Sequence, residues 1–382
     1  VEPGPMGGTC LNRGCIPSKM LIHRADIVRE IENAHEFFIN AEVDDIDFSR
    51  IIEEVNDTVS QDAESIENAL DESPNHTLYK SKAKFVDDKV LKVDGEEITA
   101  DHIYIAAGSR PLIPPIEGLE DVDYLTSKEA LKLNEKPESM VMIGGGYISC
   151  ELAHFFEAMG VEVTIIEAGD SLLKREDKEV SERFTEKAKL RFDVNLGMRA
   201  SEIEEVGGKI KVKAEDKEGN INSFAGEELL VAAGRVPNSD SLEVENAGIE
   251  TDDRGFIETD EYMETNIENV YAIGDIADNW MFKHSANYES EVAVRNGFAG
   301  HDMKADYESM PHAVFSSPQI AGFGKTEQQL EEEDLEFVKA TYDYDHTGMG
   351  MAMKADGFVK ILATEGGEIL GCHIIGPQAS TL

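Results

Sequence analysis

The chain has 382 residues, of which 41% are apolar, so we expect two or three domains with substantial buried cores. Its 78 acidic and 35 basic residues give a formal net charge of −43. This balance excludes nucleic acid and anionic membrane surfaces as partners, because both require basic surface on the protein. The sequence has no apolar run of the ~18 residues that a membrane-spanning helix needs.

The acidic residues are spread along the whole chain, and runs such as Glu331–Asp334 have the pattern of a solvated helix face. As a total, the excess of acid is typical of a protein adapted to a high-salt cytoplasm, where screening suppresses self-repulsion. The four cysteines, only two of which are spaced to pair, indicate a reducing compartment. We therefore predict a cytoplasmic protein from a halophilic source.

Residues 7–19 read GGTCLNRGCIPSK and precede a helix-like run, Met20 to Ala34. A disulfide between Cys10 and Cys15 would require the intervening backbone to bend the two residues toward each other. It would close so small a loop that it would remove little entropy from the unfolded chain. The spacing favours a redox-active pair; a structural disulfide, or a zinc site with two further ligands, remains the alternative.

This stretch resembles the active-site motif of the FAD-dependent pyridine nucleotide-disulfide oxidoreductases, the group that contains lipoamide dehydrogenase, glutathione reductase, mycothione reductase and mercuric reductase. The resemblance implies an α/β fold with two Rossmann-like, three-layer dinucleotide-binding domains and an α+β dimerisation domain. The implied FAD-binding domain comprises residues 1–112 and 259–308. Residues 113–258 would form the NAD(P)-binding domain and residues 309–382 the dimerisation domain.

The resemblance also implies a route for electrons, from the nicotinamide to flavin N5, then to a Cys10–Cys15 disulfide, and finally to an external disulfide. Cys15 would be the flavin-facing thiol and Cys10 the thiol that exchanges with substrate. Lys19, one helical turn after Cys15, would lie near N5 and pair with Glu151 of the nicotinamide helix. Tyr147 would cover the nicotinamide pocket when that pocket is vacant.

Glu2 stands where this family has an acidic residue that binds the adenosine ribose of FAD. In the family a strand, a glycine-rich phosphate loop and a helix come before that residue, and such a unit needs about 30 residues. We therefore expect the sequence to be a fragment whose first FAD-binding unit lies upstream.

The next elements are predicted from apolar pattern and turn residues. We expect a helix from about Phe48 to Leu70, strands at Thr77–Tyr79 and Ala83–Val86, and a hairpin over residues 90–99 that turns at an Asp-Gly pair. Residues 103–111 read as a buried strand that enters a glycine turn. This segment resembles the family's crossing from the FAD domain to the NAD domain.

A second nucleotide site is predicted where strand Met140–Ile143 runs into Gly144–Gly146, followed by a helix to Met159 and a strand Glu162–Ile166 that ends at Glu167. Strand, glycine loop, helix and acidic residue in this order specify a dinucleotide-binding βαβ unit, with the phosphate at the helix N-terminus. Glu167 can accept hydrogen bonds from a ribose 2′-hydroxyl and would repel a 2′-phosphate. The pattern therefore favours NADH over NADPH.

Hairpins are predicted around residues 207–208 and 219–220. Leu229–Asn238 resembles the family's second glycine turn, and Thr265–Asp275 resembles its second FAD motif, whose aspartate holds a ribitol hydroxyl. Four strands are predicted after Pro311, at residues 313–315, 337–340, 357–362 and 369–375. Residues 314–320 resemble the opening of the dimerisation domain.

In this family a His-Pro…Glu motif near the C-terminus supplies an acid-base histidine, and the sequence has no such motif. We expect the chain to end within the dimerisation domain, and in a homodimer this histidine would come from the other subunit. The ten histidines, including His284, His312, His346 and His373, are interpreted as ordinary surface or core residues. Cys150 and Cys372 are predicted to be buried apolar fillers.

Together, these motifs predict the residues of the active site and of the cofactor sites. The residues assigned to catalysis are Cys10, Cys15, Lys19 and Glu151. The residues assigned to cofactor binding are Glu2, Gly8, Thr9, Lys19, Ala83, Gly108, Gly144, Gly146, Tyr147, Ile148, Glu151, Glu167, Gly234, Arg235, Gly274 and Asp275. The expected cofactors are FAD and NAD(H), the latter favoured over NADP(H), and no metal ion is expected.

The shared motifs do not select the substrate. Segments 171–175, 283–287 and 372–381 are similar to mycothione reductase and its lipoamide-dehydrogenase-like relatives, and Glu167 favours the lipoamide dehydrogenase reaction. The expected partner is therefore a lipoyl group or a small disulfide. A reductase of another low-molecular-weight thiol disulfide, a mercuric reductase and a catalytically inactive FAD-binding protein are the alternatives.

Overall fold

The computed structural model describes residues 1–382, which divide into two compact units. Unit 1 comprises Val1–Ile16, Asp57–Leu112 and Arg235–Tyr307. Unit 2 comprises Pro17–Asn56, Ile113–Gly234 and Glu308–Leu382. No helix of the structure is both long enough and apolar enough to cross a membrane.

The helices are α1 (Gly8–Arg13), α2 (Cys15–Asn33), α3 (Phe48–Asp71), α4 (Ser127–Ala130), α5 (Tyr147–Ala158), α6 (Lys178–Ala188), α7 (Ser239–Leu242), α8 (Lys283–Ala299), α9 (Glu327–Glu332) and α10 (Gly348–Met353). The strands are β1 (Ala83–Asp87), β2 (Val90–Val93), β3 (Glu96–Thr99), β4 (Ile103–Ile105), β5 (Ser109–Pro111), β6 (Ser139–Ile143), β7 (Glu162–Glu167), β8 (Asp193–Leu196), β9 (Arg199–Val206), β10 (Lys209–Glu215), β11 (Ile221–Gly226), β12 (Glu228–Val231), β13 (Arg235–Pro237), β14 (Val270–Ala272), β15 (His312–Val314), β16 (Gln319–Gly324), β17 (Val338–Asp343), β18 (Phe358–Ala363) and β19 (Ile369–Gly376).

Unit 1 contains three small sheets. Strands β1, β2 and β3 form an antiparallel meander, β4 pairs with β14 in parallel, and β5 pairs with β13 in antiparallel orientation. The predicted hairpin turn is present: Asp94 and Gly95 both have positive φ, at 51° and 87°, which two-residue hairpin turns of the Asp-Gly type require. Phe85, Ile103 and Val270 are buried in the main apolar cluster of this unit.

Unit 2 contains the four-stranded parallel sheet β12-β6-β7-β8. All five residues of β6 are buried, as expected for a continuous apolar strand at the centre of a parallel sheet. The strand-loop-helix-strand order from β6 through α5 to β7 is the predicted nucleotide-binding unit. The antiparallel sheet β11-β10-β9 in the same unit contains the two predicted hairpins.

The third part of unit 2 is the five-stranded antiparallel sheet β15-β16-β19-β18-β17. Four of its strands coincide with predicted strands, whereas β16 was not predicted. Two glycines make β16 weak as a sequence pattern, and the fold needs them. Gly324 has φ +73°, and a Cβ atom there would lie 2.3 Å from the Leu370 carbonyl oxygen.

Three further sequence predictions were wrong or incomplete. Thr77–Tyr79 does not form a strand; its link to the rest of unit 1 is a backbone hydrogen bond from Glu2 N to the Tyr79 carbonyl, 3.0 Å. The helix predicted from Met20 begins earlier, at Cys15. Cys150 is fully buried, which confirms the prediction for that residue, but Cys372 is only half-buried.

Candidate active site

The two cysteines of the motif lie side by side in unit 1. Cys10 belongs to the six-residue helix α1, and Cys15 is the first residue of the 19-residue helix α2. Gly14 lets the chain fold back between them, because a Cβ atom there would lie 2.9 Å from the Thr9 carbonyl oxygen. A Cβ atom at Gly7, where φ is +99°, would lie 2.4 Å from Leu11. The glycines of the motif are thus needed for the close approach of the thiols.

The two thiols differ in acidity. A hydrogen bond with Cys15, followed by burial and by the negative charge of Cys15, raises the pKa of Cys10 well above its usual value. The positive charge of Lys283 acts in the opposite direction. Cys15, at the start of a long helix, stands where the helix dipole stabilises a thiolate. Both effects favour Cys15 over Cys10 as the position of a thiolate.

Helix α2 continues into unit 2, where Lys19 meets Glu151 of helix α5. The Lys19 ammonium donates to both oxygens of the Glu151 carboxylate, at 2.9 and 2.8 Å, and lies 4.5 Å from the centre of the Phe315 ring. The Glu151 side chain is 7% exposed, against 35% for Lys19. The Phe315 backbone N–H donates to Glu151 at 2.9 Å. The structure brings together the lysine and the glutamate that were predicted to pair.

The glycine loop between β6 and α5 has the shape of a phosphate cradle. Gly144 has φ +107°, and a Cβ atom there would lie 2.4 Å from the Ala232 carbonyl oxygen. Gly146 is the N-terminal cap of α5, has no side-chain cap, and faces open space. Glu167 accepts hydrogen bonds from the backbone N–H groups of Gly145 at 2.5 Å and Gly169 at 2.6 Å. Each carboxylate oxygen keeps a second lone pair with which it can accept from a ribose hydroxyl.

A polar turn in unit 1 surrounds Asp275. The Ser109 hydroxyl donates to Asp275 Oδ2 at 2.7 Å and accepts from Arg235 Nε at 2.7 Å. Arg235 also donates to the Ser109 carbonyl at 2.8 Å. Arg235, predicted to bind cofactor, is thus engaged in orienting this turn, and Ser109 is a site residue that the sequence analysis did not single out.

Glu289, which was also not predicted, holds the same turn by a hydrogen bond to the backbone of Gly274. It is fully buried, accepts a hydrogen bond from Gly274 N at 2.6 Å, and accepts another from the Tyr307 hydroxyl at 2.8 Å. Burial raises the pKa of Glu289. Its signal in the sequence is an acidic residue within the helix that follows the Gly-Asp motif, which is too common a pattern to be selected without the structure.

The predicted site residues are divided between the two units. Unit 1 contains Glu2, Gly8, Thr9, Cys10, Cys15, Ala83, Gly108, Arg235, Gly274 and Asp275. Unit 2 contains Lys19, Gly144, Gly146, Tyr147, Ile148, Glu151, Glu167 and Gly234. Tyr147 is the first residue of α5 and is 39% exposed.

The residues present fit the two implied cofactors. In unit 1, Asp275 Oδ1 has no hydrogen bond and the side chain is 24% exposed, so it is available to a ribityl hydroxyl. Glu2 uses Oε1 to accept from Gly4 N at 2.8 Å and keeps Oε2 for a ribose hydroxyl. Gly108, with φ +65°, faces open space. In unit 2, the uncapped helix start at Gly146 suits the pyrophosphate of a nicotinamide nucleotide.

Comparison with known proteins gives two family matches. Residues 1–291 match the family described as pyridine nucleotide-disulphide oxidoreductase, and residues 310–382 match the dimerisation domain of the same family. The chain is 36% identical over 394 residues to a mycothione reductase of Mycobacterium tuberculosis, covering 100% of this chain and 85% of that protein.

It is also 36% identical over 392 residues to a dihydrolipoyl dehydrogenase of Halobacterium salinarum, covering 100% of this chain and 82% of that protein. Among solved structures, it is similar to the HOCl-induced flavoprotein disulfide reductase RclA from Escherichia coli. The TM-score is 0.86 at 27% identity, over 99% of this chain and 83% of that chain.

Proposed function

The chain belongs to the pyridine nucleotide-disulphide oxidoreductase family, and we propose that it moves electrons between NADH and a lipoyl-type disulfide through FAD and the Cys10–Cys15 pair. Family membership confirms the predicted α/β fold class and the predicted activity class, a flavin-dependent oxidoreductase. The residue roles, the nucleotide preference and the substrate are proposals.

One observation carries the proposal. A single helix, α2, begins at Cys15 and presents Lys19 one turn later, and Lys19 is held in a two-bonded ion pair by the nearly buried Glu151. A structural disulfide would not require a charged pair along the same helix. A redox pair requires one thiol that is stabilised as a thiolate and a fixed charge near the group with which it exchanges electrons.

The thiols of this chain perform the exchange in two steps. Cys10, as a thiolate, attacks one sulfur of the substrate disulfide; that S–S bond breaks, a Cys10–substrate disulfide forms, and the departing sulfur takes up a proton. Cys15 then attacks the Cys10 sulfur, which releases the second substrate thiol and forms the Cys10–Cys15 disulfide. Two electrons have thereby passed from the dithiol to the substrate, and the steps run backward when a dithiol such as dihydrolipoyl is oxidised.

The bound FAD supplies two-electron chemistry between the nicotinamide and the cysteine pair. The chain's own groups bind and orient it: Asp275, held by Ser109 and Arg235, is placed for a ribityl hydroxyl, and Glu2 for a ribose. Lys19 holds a positive charge that Glu151 fixes in position.

Glu167 supports NADH as the nucleotide. Its two oxygens are fixed by Gly145 and Gly169, so the carboxylate stands at the end of β7 as a fixed acceptor with negative charge. Glu167 would repel the 2′-phosphate of NADPH, because no basic side chain is paired with Glu167 to neutralise its charge.

Lipoyl is the favoured substrate on the nucleotide argument, because Glu167 favours NADH and departs from the NADPH-type members that the family resemblance includes. The second candidate is a small thiol disulfide of the mycothione kind. One observation favours it: the chain is as similar to a mycothione reductase as to a dihydrolipoyl dehydrogenase, at 36% identity over its whole length in both cases. The match of residues 310–382 to the dimerisation domain supports a homodimer as the working form.

The test uses the full-length, FAD-loaded protein in high salt, with NADH or NADPH and with lipoamide, small thiol disulfides or mercuric ion. Turnover with NADH and lipoamide is expected; turnover with a small disulfide alone would select the second candidate. Anaerobic NADH should produce a long-wavelength charge-transfer band in the parent protein, because the disulfide accepts the two electrons and leaves a Cys15 thiolate beside oxidised flavin. Cys10→Ser has no disulfide to reduce, so it should show the band before NADH is added and should not turn over.

Cys15→Ser should lose both the band and turnover. The matched control is Cys372→Ser, which removes a half-buried thiol outside the motif and should leave both unchanged. Retention of the band or of turnover by Cys15→Ser would overturn the assignment of roles.

A further inference from the structure

A second polar contact joins helices α2 and α5 within unit 2. His154 lies one turn after Glu151 on α5, and Asp26 lies two turns after Lys19 on α2. The His154 side chain is fully buried, and its Nε2 atom lies 2.8 Å from Asp26 Oδ1. The helix pair that carries Lys19 and Glu151 is thus also joined by His154 and Asp26, in addition to an ion pair between Arg29 of α2 and Glu157 of α5.

The hydrogen bonds of His154 fix its tautomer. Arg191 Nη2 lies 3.0 Å from His154 Nδ1, and a guanidinium only donates, so Nδ1 accepts. The proton of the neutral ring therefore lies on Nε2, which donates to Asp26. Arg191 also donates to Glu157 at 2.5 Å and to the Ser317 carbonyl at 3.1 Å. Neutral His154 thus links Asp26 of α2, through Arg191, to Ser317, which lies between β15 and β16 of the five-stranded sheet.

The segment that Arg191 reaches is the one that supports the first contact. The Phe315 N–H donates to Glu151, the Ser316 hydroxyl donates to the Cys150 carbonyl at 2.9 Å, and the Ser317 carbonyl accepts from Arg191. Three consecutive residues therefore lie across α5 and connect the His154 contact to the Lys19–Glu151 contact. A change at His154 is transmitted to Glu151 by α5 itself and by this segment.

We propose that neutral His154 is a positioning residue that holds α2 against α5 and so keeps Lys19 and Glu151 in register for electron entry. Protonation of the ring leaves the bond to Asp26 in place but removes the acceptor of Arg191 and sets two positive charges against each other, which disturbs the segment at residues 315–317 that supports Glu151. The proposal rests on the proposed function, because electron entry is the step that the register serves. It assigns to His154, Asp26 and Arg191 a role in the pH dependence of that step.

Burial and two nearby guanidinium groups make protonation of His154 unfavourable. From α2 it is faced by Asp26 and Arg29, from α5 by Glu157 through Arg191, and from the end of α6 by Arg191. Burial lowers the pKa of His154 below its ordinary 6.5, and Arg191 and Arg29 lower it further, whereas Asp26 acts in the opposite direction.

The lowered pKa of His154 makes the folding stability depend on pH. Because the folded-state pKa is depressed, the unfolded chain binds the proton first as pH falls. The contribution of neutral His154 to folding stability is present in full above pH 6.5 and is lost as pH falls below 6.5 toward the folded-state pKa. Electron entry should therefore show a decline on the acid side with a midpoint below 6.5.

The test compares three variants of the FAD-loaded protein. His154→Gln keeps a donor for Asp26 and an acceptor for Arg191 but does not titrate. His154→Leu keeps bulk and removes both bonds. His373→Gln is the matched control: His373 is another buried histidine, 1% exposed, whose Nε2 bonds to the Lys325 carbonyl at 2.9 Å and whose pKa is also lowered by burial, but it contacts neither α2 nor α5.

Two quantities are measured against pH: the rate at which NADH reduces the flavin, by anaerobic stopped flow, and the unfolding temperature without nucleotide. His154→Gln should keep the rate at neutral pH and lose the acid-side decline. His154→Leu should reduce flavin about tenfold or more slowly at neutral pH, because small displacements of positioned groups cost rate steeply. His373→Gln should lower the unfolding temperature and keep the parent rate profile.

A His154→Leu variant with the parent rate and the parent pH profile would overturn the inference. So would retention of the acid-side decline in His154→Gln. If NADH reduces no flavin even in the parent protein, the proposed function fails instead. The unfolding temperatures still decide the His154 contact in that case, because His154→Gln must then flatten the acid-side loss of stability relative to the parent.

Discussion

Replacing Lys19 by methionine tests the centre of the site. The change removes two charge-assisted hydrogen bonds, of 2.9 and 2.8 Å, and leaves the 7%-exposed Glu151 side chain with the Phe315 N–H as its remaining donor. Hydrogen bonds to charged groups contribute about 1.5–3 kcal/mol, and because a third of Lys19 is open to water we expect about 2 kcal/mol here. If electron entry needs this contact, the same free energy slows flavin reduction about 30-fold.

The assay is anaerobic stopped-flow reduction of the flavin by NADH in a double-mutant cycle of Lys19→Met, Glu151→Gln and the pair combined. Since the two side chains act as one unit, the double variant should be about as slow as the slower single variant. The matched control is Lys304→Met, which breaks an exposed pair with Glu261 and should leave the rate unchanged. Losses that multiply in the double variant would refute the reasoning, because they would mean that Lys19 and Glu151 act independently.

Three further predictions concern stability. Lys360→Met should cost about 3–5 kcal/mol in denaturant unfolding, because it leaves the fully buried Asp177 carboxylate without its cation. Lys339→Met, at a lysine that is 37% exposed and pairs with the 41%-exposed Glu179, should cost at most about 1 kcal/mol, and equal losses would contradict this. The unfolding temperature of Glu289→Gln, relative to that of the parent, should increase as pH rises. The raised folded-state pKa of Glu289 means that the parent loses stability toward high pH, whereas the glutamine does not ionise and can still accept from Gly274. A difference between the two proteins that is independent of pH would count against a buried charge at Glu289. With a net charge of −43, the parent should unfold at higher temperature as KCl is raised from low ionic strength, and insensitivity to salt would argue against halophilic adaptation.

Much of the fold was predictable because the signals were local and agreed with one another. The continuous apolar run of β6, the glycines after it and the acidic end of β7 define one βαβ unit within about 30 residues. Helix α3 was predicted to within one residue because a long amphipathic pattern leaves little choice of period. The failures lie where the pattern is short or interrupted: Thr77–Tyr79 has three residues and no pairing partner, and β16 has two glycines that packing requires.

The parts of the site that the sequence did not indicate depend on contacts between distant residues. Asp26 and His154 are 128 residues apart in the sequence, and Ser109 and Asp275 are 166 apart. At such separations, no sequence pattern indicates that the two residues of either pair are in contact. His154 in particular sits in an apolar helix, where a lone histidine is ordinarily a satisfied core residue. Its partners show that it is satisfied by charges from two other segments, which a sequence pattern does not reveal.

The difference between the two thiols follows from where each lies in the chain. Cys15 opens a 19-residue helix and gains the full effect of its dipole, whereas Cys10 lies within a six-residue helix and has Cys15 as its neighbour. A hydrogen bond with Cys15, burial and the negative charge of Cys15, in that order, raise the pKa of Cys10. Lys283 opposes this effect but does not reverse it. In the proposed exchange, Cys10 therefore needs a base that takes its proton as it attacks the substrate disulfide.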